Sequence, residues 1–456
     1  PAVLLCTSGT AVTHYHPAVV EAYQAGVPMV VLSADRPWEA HGCASPQTID
    51  QSDLFARVLR HRAELGPPSD HDGALRAVVR IAAQSVAASQ HPAPGPVHIN
   101  AQFRKPLEPL PTPQPEPWSA RLEALRARGV PRVFPAVGVP SPEGVSVLSA
   151  ALREARRPLL VAGPAWAHEA PGVLDALARR LGAPLLVEAT SHQRFAPASD
   201  VTRVGCFDLL LRAPAWRDAH APDLVLEFGL PPTSGQYAQW LGALPDTPRA
   251  VVAPTGWNDP LQSARWLLHA PPAAAAAALS AALDDHAVHP DTRAFTAAWA
   301  RAESIAQAAA AAMMQGDTLH EGRVVRGLYD ALPDDAVWVV GNSMPVRDLD
   351  TFTPTARGPL RVMHQRGASG IDGLFAGAAG VRAVTDAGTP VTLLLGDVSA
   401  AHDLASLSLC ARAEAPLVLV VVHNAGGRIF AELPLGRRAA DDPALARTFT
   451  EHFLTA

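Results

Sequence analysis

Gly396-Asp397 closes the apolar run PVTLLLGD, and Asn424 closes a second run, PLVLVVVHN, after 26 intervening residues. One carboxylate, one amide oxygen and nearby backbone carbonyls make a hard oxygen site. Mg²⁺ suits such a site, because it keeps several waters and takes further ligands from phosphates. The spacing carries both groups to one place. A helix of about 14 residues over 401–414 spans roughly 21 Å at 1.5 Å per residue. The following strand of seven residues returns about 23 Å at 3.3 Å per residue. Asn424 is therefore expected at the same carboxyl edge as Asp397, the edge where open α/β sheets bind ligands. Gly426 and Gly427 permit close backbone approach, and a helix N-terminus near Val398–Ala401 favours a diphosphate. The plainer alternative is a turn Asp and a turn Asn in an ordinary βαβ unit, which the strand–helix–strand context disfavours.

A second Gly-rich segment, RGASGIDGLFAGAAG (366–380), follows the short strand RVMHQ and opens a helix. Gly367, Gly370 and Gly373 are expected to allow positive φ and close phosphate approach. The segment is neither a Walker loop nor a G-x-G-x-x-G dinucleotide fingerprint. Arg36, Arg347 and Arg366 each stand just beyond a predicted strand, placed to bind carboxylates bidentately. Arg104, in FRKPLEP, is a weaker candidate. His14 and His16 form H-Y-H without a third ligand at diagnostic spacing, and neither H-E-x-x-H nor G-x-S-x-G occurs.

The elements that must position these residues alternate short β-rich runs with Ala/Leu/Arg helical stretches, the pattern of parallel α/β sheets. Residues 1–109 hold the strands AVLLC, PMVVLSA and GPVHIN, with helices near 17–25 and 73–89. Residues 110–140 are Pro-rich and read as an extended linker. Residues 141–290 repeat the α/β pattern with PLLVAG, PLLVEA, DLVLEFG and RAVVAP, and residues 315–456 repeat it again. The expectation is three doubly wound parallel-sheet domains. With 456 residues, 48% hydrophobic and 18% charged, the chain can bury several cores. A net charge of −6 without any basic run argues against nucleic acid. No uninterrupted apolar stretch reaches the length of a membrane span. Cys6, Cys43, Cys206 and Cys410 are isolated, which favours a reduced cytoplasmic protein.

Segments spread through the whole chain carry a specific resemblance. They are TSGTA (7–11), SADRP (33–37), Pro46-Gln47, GPVHIN (95–100), GNSMPVR (341–347), RGASGIDG (366–373), GDVSA (396–400) and NAGGRIF (424–430). In order and spacing they resemble thiamine diphosphate-dependent enzymes, and most closely their 2-succinyl-5-enolpyruvyl-6-hydroxy-3-cyclohexene-1-carboxylate synthase branch, which acts in menaquinone biosynthesis. The resemblance implies a G-D-x(n)-N motif in which Asp397, Asn424 and the Gly426 carbonyl hold Mg²⁺, or Mn²⁺ in its place. It places Gly367, Ser369, Ile371, Gly396, Val398, Ser399, Ile429 and Phe430 around the cofactor, with Ile371 as the wedge that bends it. It assigns Ser343 and Arg347 to the carboxylate of the succinyl unit, and Arg36, Gln47 and Arg366 to isochorismate. The implied reaction is decarboxylation of 2-oxoglutarate and 1,4-addition of the resulting carbanion to isochorismate. The implied assembly is a homodimer or homotetramer with sites at the interface. Residues 1–109 correspond to the pyrimidine-binding domain, 141–290 to a central domain and 315–456 to the diphosphate and metal domain.

Some positions depart from the pattern. Val398 and His423 replace the usual Gly and Asn, and Gln236 falls where some members carry Lys. The family's activating Glu and a Ser-Arg substrate segment precede T-S-G-T and are not in this sequence; neither Glu21 nor Glu39 replaces that Glu by motif. Pro1 leads at once into AVLLC, and RTFTEHFLTA reads as a helix with no strand after it. The sequence thus reads as lacking material on both sides, and weak cofactor binding is expected of it alone. Two other readings remain at this point. One is a different thiamine enzyme, such as an acetohydroxyacid synthase or oxo-acid decarboxylase. The other is a non-catalytic binding protein that keeps the fold.

Overall fold

The computed structural model describes residues 1–108, 118–166, 169–355 and 358–454. Strands are numbered in chain order. The first sheet contains β1 (Ala2–Cys6), β2 (Met29–Asp35), β3 (His61–Leu65) and β4 (Pro96–Gln102), in the order β1-β2-β4-β3. The second contains β5 (Pro158–Ala162), β6 (Leu185–Val187), β7 (Arg203–Val204), β8 (Leu224–Phe228), β9 (Arg249–Ala253) and β10 (Trp266–His269), in the order β10-β9-β8-β5-β6-β7. The third contains β11 (Val337–Val340), β12 (Arg361–His364), β13 (Val391–Gly396) and β14 (Leu417–Val422), in the order β12-β11-β13-β14. Among the described residues every strand pair is parallel. The three-sheet α/β expectation is met.

The packing follows from side-chain alternation. Along β5, Leu160 and Ala162 enter one apolar core with Leu177, Leu226 and Leu279. Leu159 and Val161 enter the opposite core with Trp240 and Trp299. A strand buried on both faces must be apolar throughout, which is why these runs carry no polar alternation. The third sheet repeats this, with Trp338 and Val340 on one face and Val337 and Val339 on the other.

The chain divides into two compact units, one of Pro1–Val137 with Gly367–Gly370, the other of Gly138–Arg366 with Ile371–Ala456.

Four sequence expectations need correction. Residues 110–117 of the supposed linker lie outside the described residues, but Ser119–Arg128 is a helix, not extended chain. Its sequence SARLEALRAR is rich in strong helix formers. The single helix over 401–414 is instead Asp397–His402, a 3₁₀ turn Leu404–Ser406 and the helix Leu407–Cys410. The break falls at Asp403, whose carboxylate caps another helix by accepting from the N–H groups of Phe375 (2.7 Å) and Ala376 (3.3 Å). Of Gly367, Gly370 and Gly373, only Gly373 takes positive φ, at 63°. The strands β3, β7 and β10 were not anticipated. Two of them have only two and four residues, and β3 is half-exposed and polar.

Candidate active site

The third sheet reverses its strand order at β11, which has β12 on one side and β13 on the other. At such a switch point the connections leave in opposite directions and open a crevice at the carboxyl ends of the strands. A cavity of about 50 Å³ lies there. The turn after β11 brings Ser343 to its lining, the segment after β13 brings Gly396, Asp397, Val398 and Ser399, and the segment after β14 brings Asn424, Gly426 and Ile429. Glu321 and Asp348 reach it from two helices.

Asp397 is held in place by three groups. Its Oδ1 accepts from the Val398 N–H (2.8 Å), and its Oδ2 accepts from the Gly426 N–H (2.9 Å) and from His423 Nδ1 (2.8 Å). Burial pushes its pKa up, but the Gly426 N–H, His423 and the Val398 N–H outweigh that and leave the carboxyl below its ordinary range. Ala425 and Gly426 have φ of 63° and 111°, which turns the chain back toward Asp397. Asn424 Nδ2 donates to Glu321 (3.1 Å), whereas its Oδ1 is buried without a hydrogen-bond partner. A buried oxygen left orphaned beside an ionised carboxylate fits a cation. Among the described residues, no cluster of three or more His, Cys, Asp or Glu could hold a metal. One carboxylate, one amide oxygen and main-chain carbonyls could together offer a hard oxygen set of the kind Mg²⁺ takes when phosphates complete its shell. Burial, followed by the charge of Glu321, pushes Asp348 up to about 7, with Arg347 opposing.

The arginines sit on the same edge. Ser343 starts the helix Met344–Phe352 with a φ of 69°, and Arg347 Nη1 donates to its carbonyl (2.6 Å). Arg366 Nη1 donates to Asn342 Oδ1 (2.9 Å), while Asn342 Nδ2 donates to the Gln365 carbonyl (2.8 Å). Arg347, Arg366, Ile371 and Phe430 lie outside the cavity lining. The 3₁₀ turn Arg428–Glu432 sends neighbouring side chains in different directions, and Phe430 packs against Phe453 with ring centroids 5.9 Å apart. Gln236 lies half-buried on the helix Gly235–Gly242.

In the other unit, Arg36 follows β2 and lines a pocket of about 260 Å³ with Glu39, Arg104 and Lys105. Glu39 accepts both Arg104 Nε (2.5 Å) and Nη2 (3.0 Å), so Arg104 is already committed. Gln47 has a φ of 58° and donates to Thr7 Oγ1 (3.2 Å) and the Ser8 carbonyl (3.1 Å), which ties Pro46-Gln47 to T-S-G-T. Gly367 and Ala368 donate their N–H groups to the Glu21 carboxylate (2.7 and 2.6 Å). A side chain at Gly367 would meet the Glu21 carbonyl at 2.7 Å, so close approach, not positive φ, requires this glycine.

Residues 1–54 match the family described as "Thiamine pyrophosphate enzyme, N-terminal TPP binding domain". The chain is 48% identical over 99% of its length to the 2-succinyl-5-enolpyruvyl-6-hydroxy-3-cyclohexene-1-carboxylate synthase of Sorangium cellulosum, covering 74% of that protein. It is 37% identical over 97% of its length to the synthase of the same name from Myxococcus xanthus (74% covered), and 38% identical over its full length to that of Halobacterium salinarum (77% covered). The chain belongs to the 2-succinyl-5-enolpyruvyl-6-hydroxy-3-cyclohexene-1-carboxylate synthase family. It is a thiamine diphosphate-dependent enzyme of menaquinone biosynthesis.

Within this synthase family frame, His423 has a physical role, since it supplies a donor to Asp397 where the usual Asn is absent. Sequence reasoning missed Glu321 and Asp348, which carry no motif of their own, and passed over Asn342 within GNSMPVR. One signal could have pointed near them. Among the described residues, eight non-glycine residues have positive φ, and four of them, Gln47, Ser343, Ser369 and Ala425, lie inside the quoted motifs. Backbone strain of this kind gathers at functional sites.

Proposed function

We propose that this chain catalyses decarboxylation of 2-oxoglutarate with 1,4-addition of the four-carbon unit to isochorismate. The observation that carries the reading is the switch-point cavity, lined by both ionised Asp397 and Asn424, whose Oδ1 is buried without a partner, in a chain of this family. Asp397, Asn424 and the Gly426 carbonyl would hold Mg²⁺, and Mn²⁺ suits the same oxygens. Gly396, Val398 and Ser399 would receive the diphosphate, with Ile429 walling the site and Gly367, Ser369 and Ile371 completing it. When bound, thiamine diphosphate supplies carbanion stabilisation.

The remaining work falls to the protein. Ser343 and Arg347 orient the distal carboxylate of 2-oxoglutarate, and Arg36, Gln47 and Arg366 orient isochorismate. Holding both acids in place converts a bimolecular step into an effectively unimolecular one. In this reading residues 1–109 bind the aminopyrimidine and residues 315–456 the diphosphate, in a cytoplasmic homodimer or homotetramer. Among the described residues no helix is long and apolar enough to cross a membrane.

Steady-state kinetics of the full-length Arg347→Ala enzyme test the substrate assignment. The expected result is a 2-oxoglutarate KM raised on the order of a hundredfold, the loss of one charge-assisted carboxylate contact. An unchanged KM counts against it.

A further inference from the structure

Glu321 opens the helix Glu321–Ala331, is half-buried, and lines the switch-point cavity together with Asp397 and Asn424. Asn424 Nδ2 donates to Glu321 Oε1 (3.1 Å), and Asn424 Oδ1 is buried without a partner. The first fact explains the second. A primary amide has a donor end and an acceptor end of nearly the same shape, and a half-turn exchanges them. A carboxylate carries only acceptors, so it takes the N–H end of the amide and refuses the oxygen. With Nδ2 drawn to Glu321, Oδ1 is left for another partner.

The rest of Asn424 is held without Glu321. Arg428 Nε donates to the Asn424 carbonyl (2.9 Å), and two residues on the Gly426 N–H donates to Asp397 Oδ2 (2.9 Å). The turn is fixed, and the half-turn of the amide is the freedom that remains. Ionised Asp397 lines the same cavity and pulls on that freedom in the wrong direction, because a carboxylate attracts the N–H end of a neighbouring amide. An amide turned that way would offer a cation hydrogens in place of lone pairs.

We propose that Glu321 is a positioning residue of the metal site, whose carboxylate takes the N–H end of the Asn424 amide and so commits Oδ1 to the cation. The proposal rests on the reading that Asp397, Asn424 and the Gly426 carbonyl hold Mg²⁺. Partners of this kind orient the direct ligands of metal sites, and their removal weakens metal binding by about ten- to hundredfold. The competing account of Glu321 is that of an acidic residue in a first helical turn, which favours the helix dipole and leaves the metal untouched.

The test is calorimetric titration of thiamine diphosphate into the full-length protein at a series of Mg²⁺ concentrations, from which the Mg²⁺ affinity is read, with thermal midpoints of the metal-free proteins beside it. Glu321→Met removes the acceptor at similar length and should weaken Mg²⁺ about ten- to hundredfold. Glu321→Gln keeps an acceptor oxygen without the charge and should stay within about threefold of wild type, since its two ends permit both amide orientations. Equal losses in Gln and Met would show that charge acts and orientation does not, and overturn the proposal. Asn424→Asp removes the amide and presents oxygen at both ends. In that background Glu321→Met should cost no Mg²⁺ affinity, and a loss as large as in the parent overturns the proposal. A merely structural Glu321 would lower the thermal midpoint and leave Mg²⁺ affinity unchanged, which also overturns it. Glu321→Asp keeps the charge and withdraws the acceptor by one methylene. It should weaken Mg²⁺ binding even where Glu321→Met does not fold, and an unchanged affinity overturns the proposal. Asp397→Ala separates the two levels. Mg²⁺-dependent binding lost there but untouched in every Glu321 variant leaves the metal site standing and removes only the role of Glu321, whereas binding undiminished in Asp397→Ala removes both.

Discussion

Strand order reverses at β5 in the central sheet and at β11 in the third, so both sheets have a place where a crevice should open. In the central sheet the loops fill it. The Gly163 N–H donates to the Phe228 carbonyl (3.0 Å), and the Leu230 N–H donates to the Pro164 carbonyl (2.9 Å). A Cβ at Gly163 would stand 2.0 Å from the Leu230 oxygen. In the third sheet a Cβ at Gly396 would meet nothing within 4 Å, and Asn424 Oδ1 has no partner. Topology offers the same opening twice. A site arises where the loops leave a cavity, and a support arises where they close over the strand ends. The central sheet then braces the third, through Arg194 bound to the end of the helix that begins at Ser343.

The comparison breaks first at that brace. Arg194→Ala should destabilise the protein by about 3–5 kcal/mol, because it strands buried carbonyls and the Asp350 carboxyl. Denaturant unfolding reads this, and a loss below about 1 kcal/mol would show the brace to be dispensable.

The two glycines give the next contrast. Gly163→Ala overpacks a closed junction and should cost at least about 1–3 kcal/mol. Gly396→Ala, with a φ of −83° and open space before it, should change stability by less than about 0.5 kcal/mol. The same variant should weaken thiamine diphosphate binding about tenfold, since the added methyl enters the cavity. Equal stability losses at the two positions would erase the distinction.

A further effect is a pH slope. The Asp348 carboxyl, raised to about 7, holds its proton in the folded state over a range where the unfolded chain has released it. Its contribution to stability therefore falls as pH rises from about 4 to about 7. Thermal midpoints measured across that range should decline less steeply in Asp348→Asn than in wild type.

Much of this was legible in the sequence, for physical reasons. Strands such as PLLVA and VTLLLG are buried on both faces and so appear as unbroken apolar runs. Asp397 and Asn424 close two such runs, which was enough to place them on one edge. The broken helix after Asp397 was not legible, because its cause is Asp403 capping a helix that starts 29 residues earlier. Arg194 was equally hidden, because its partners Asp350 and Thr353 stand 156 and 159 residues away in sequence. The arginines were found as types, but that Arg104, already the weaker candidate, is committed to Glu39 could be seen only in the structure.

The central claim is that the open crevice holds the diphosphate through a metal bound by Asp397 and Asn424. Calorimetric titration of thiamine diphosphate into the full-length protein, with and without Mg²⁺, beside Asp397→Ala, tests it most directly. The account predicts tight binding only with the metal, lost by about a hundredfold or more in the variant. Binding of equal strength without Mg²⁺, or undiminished in Asp397→Ala, would contradict it.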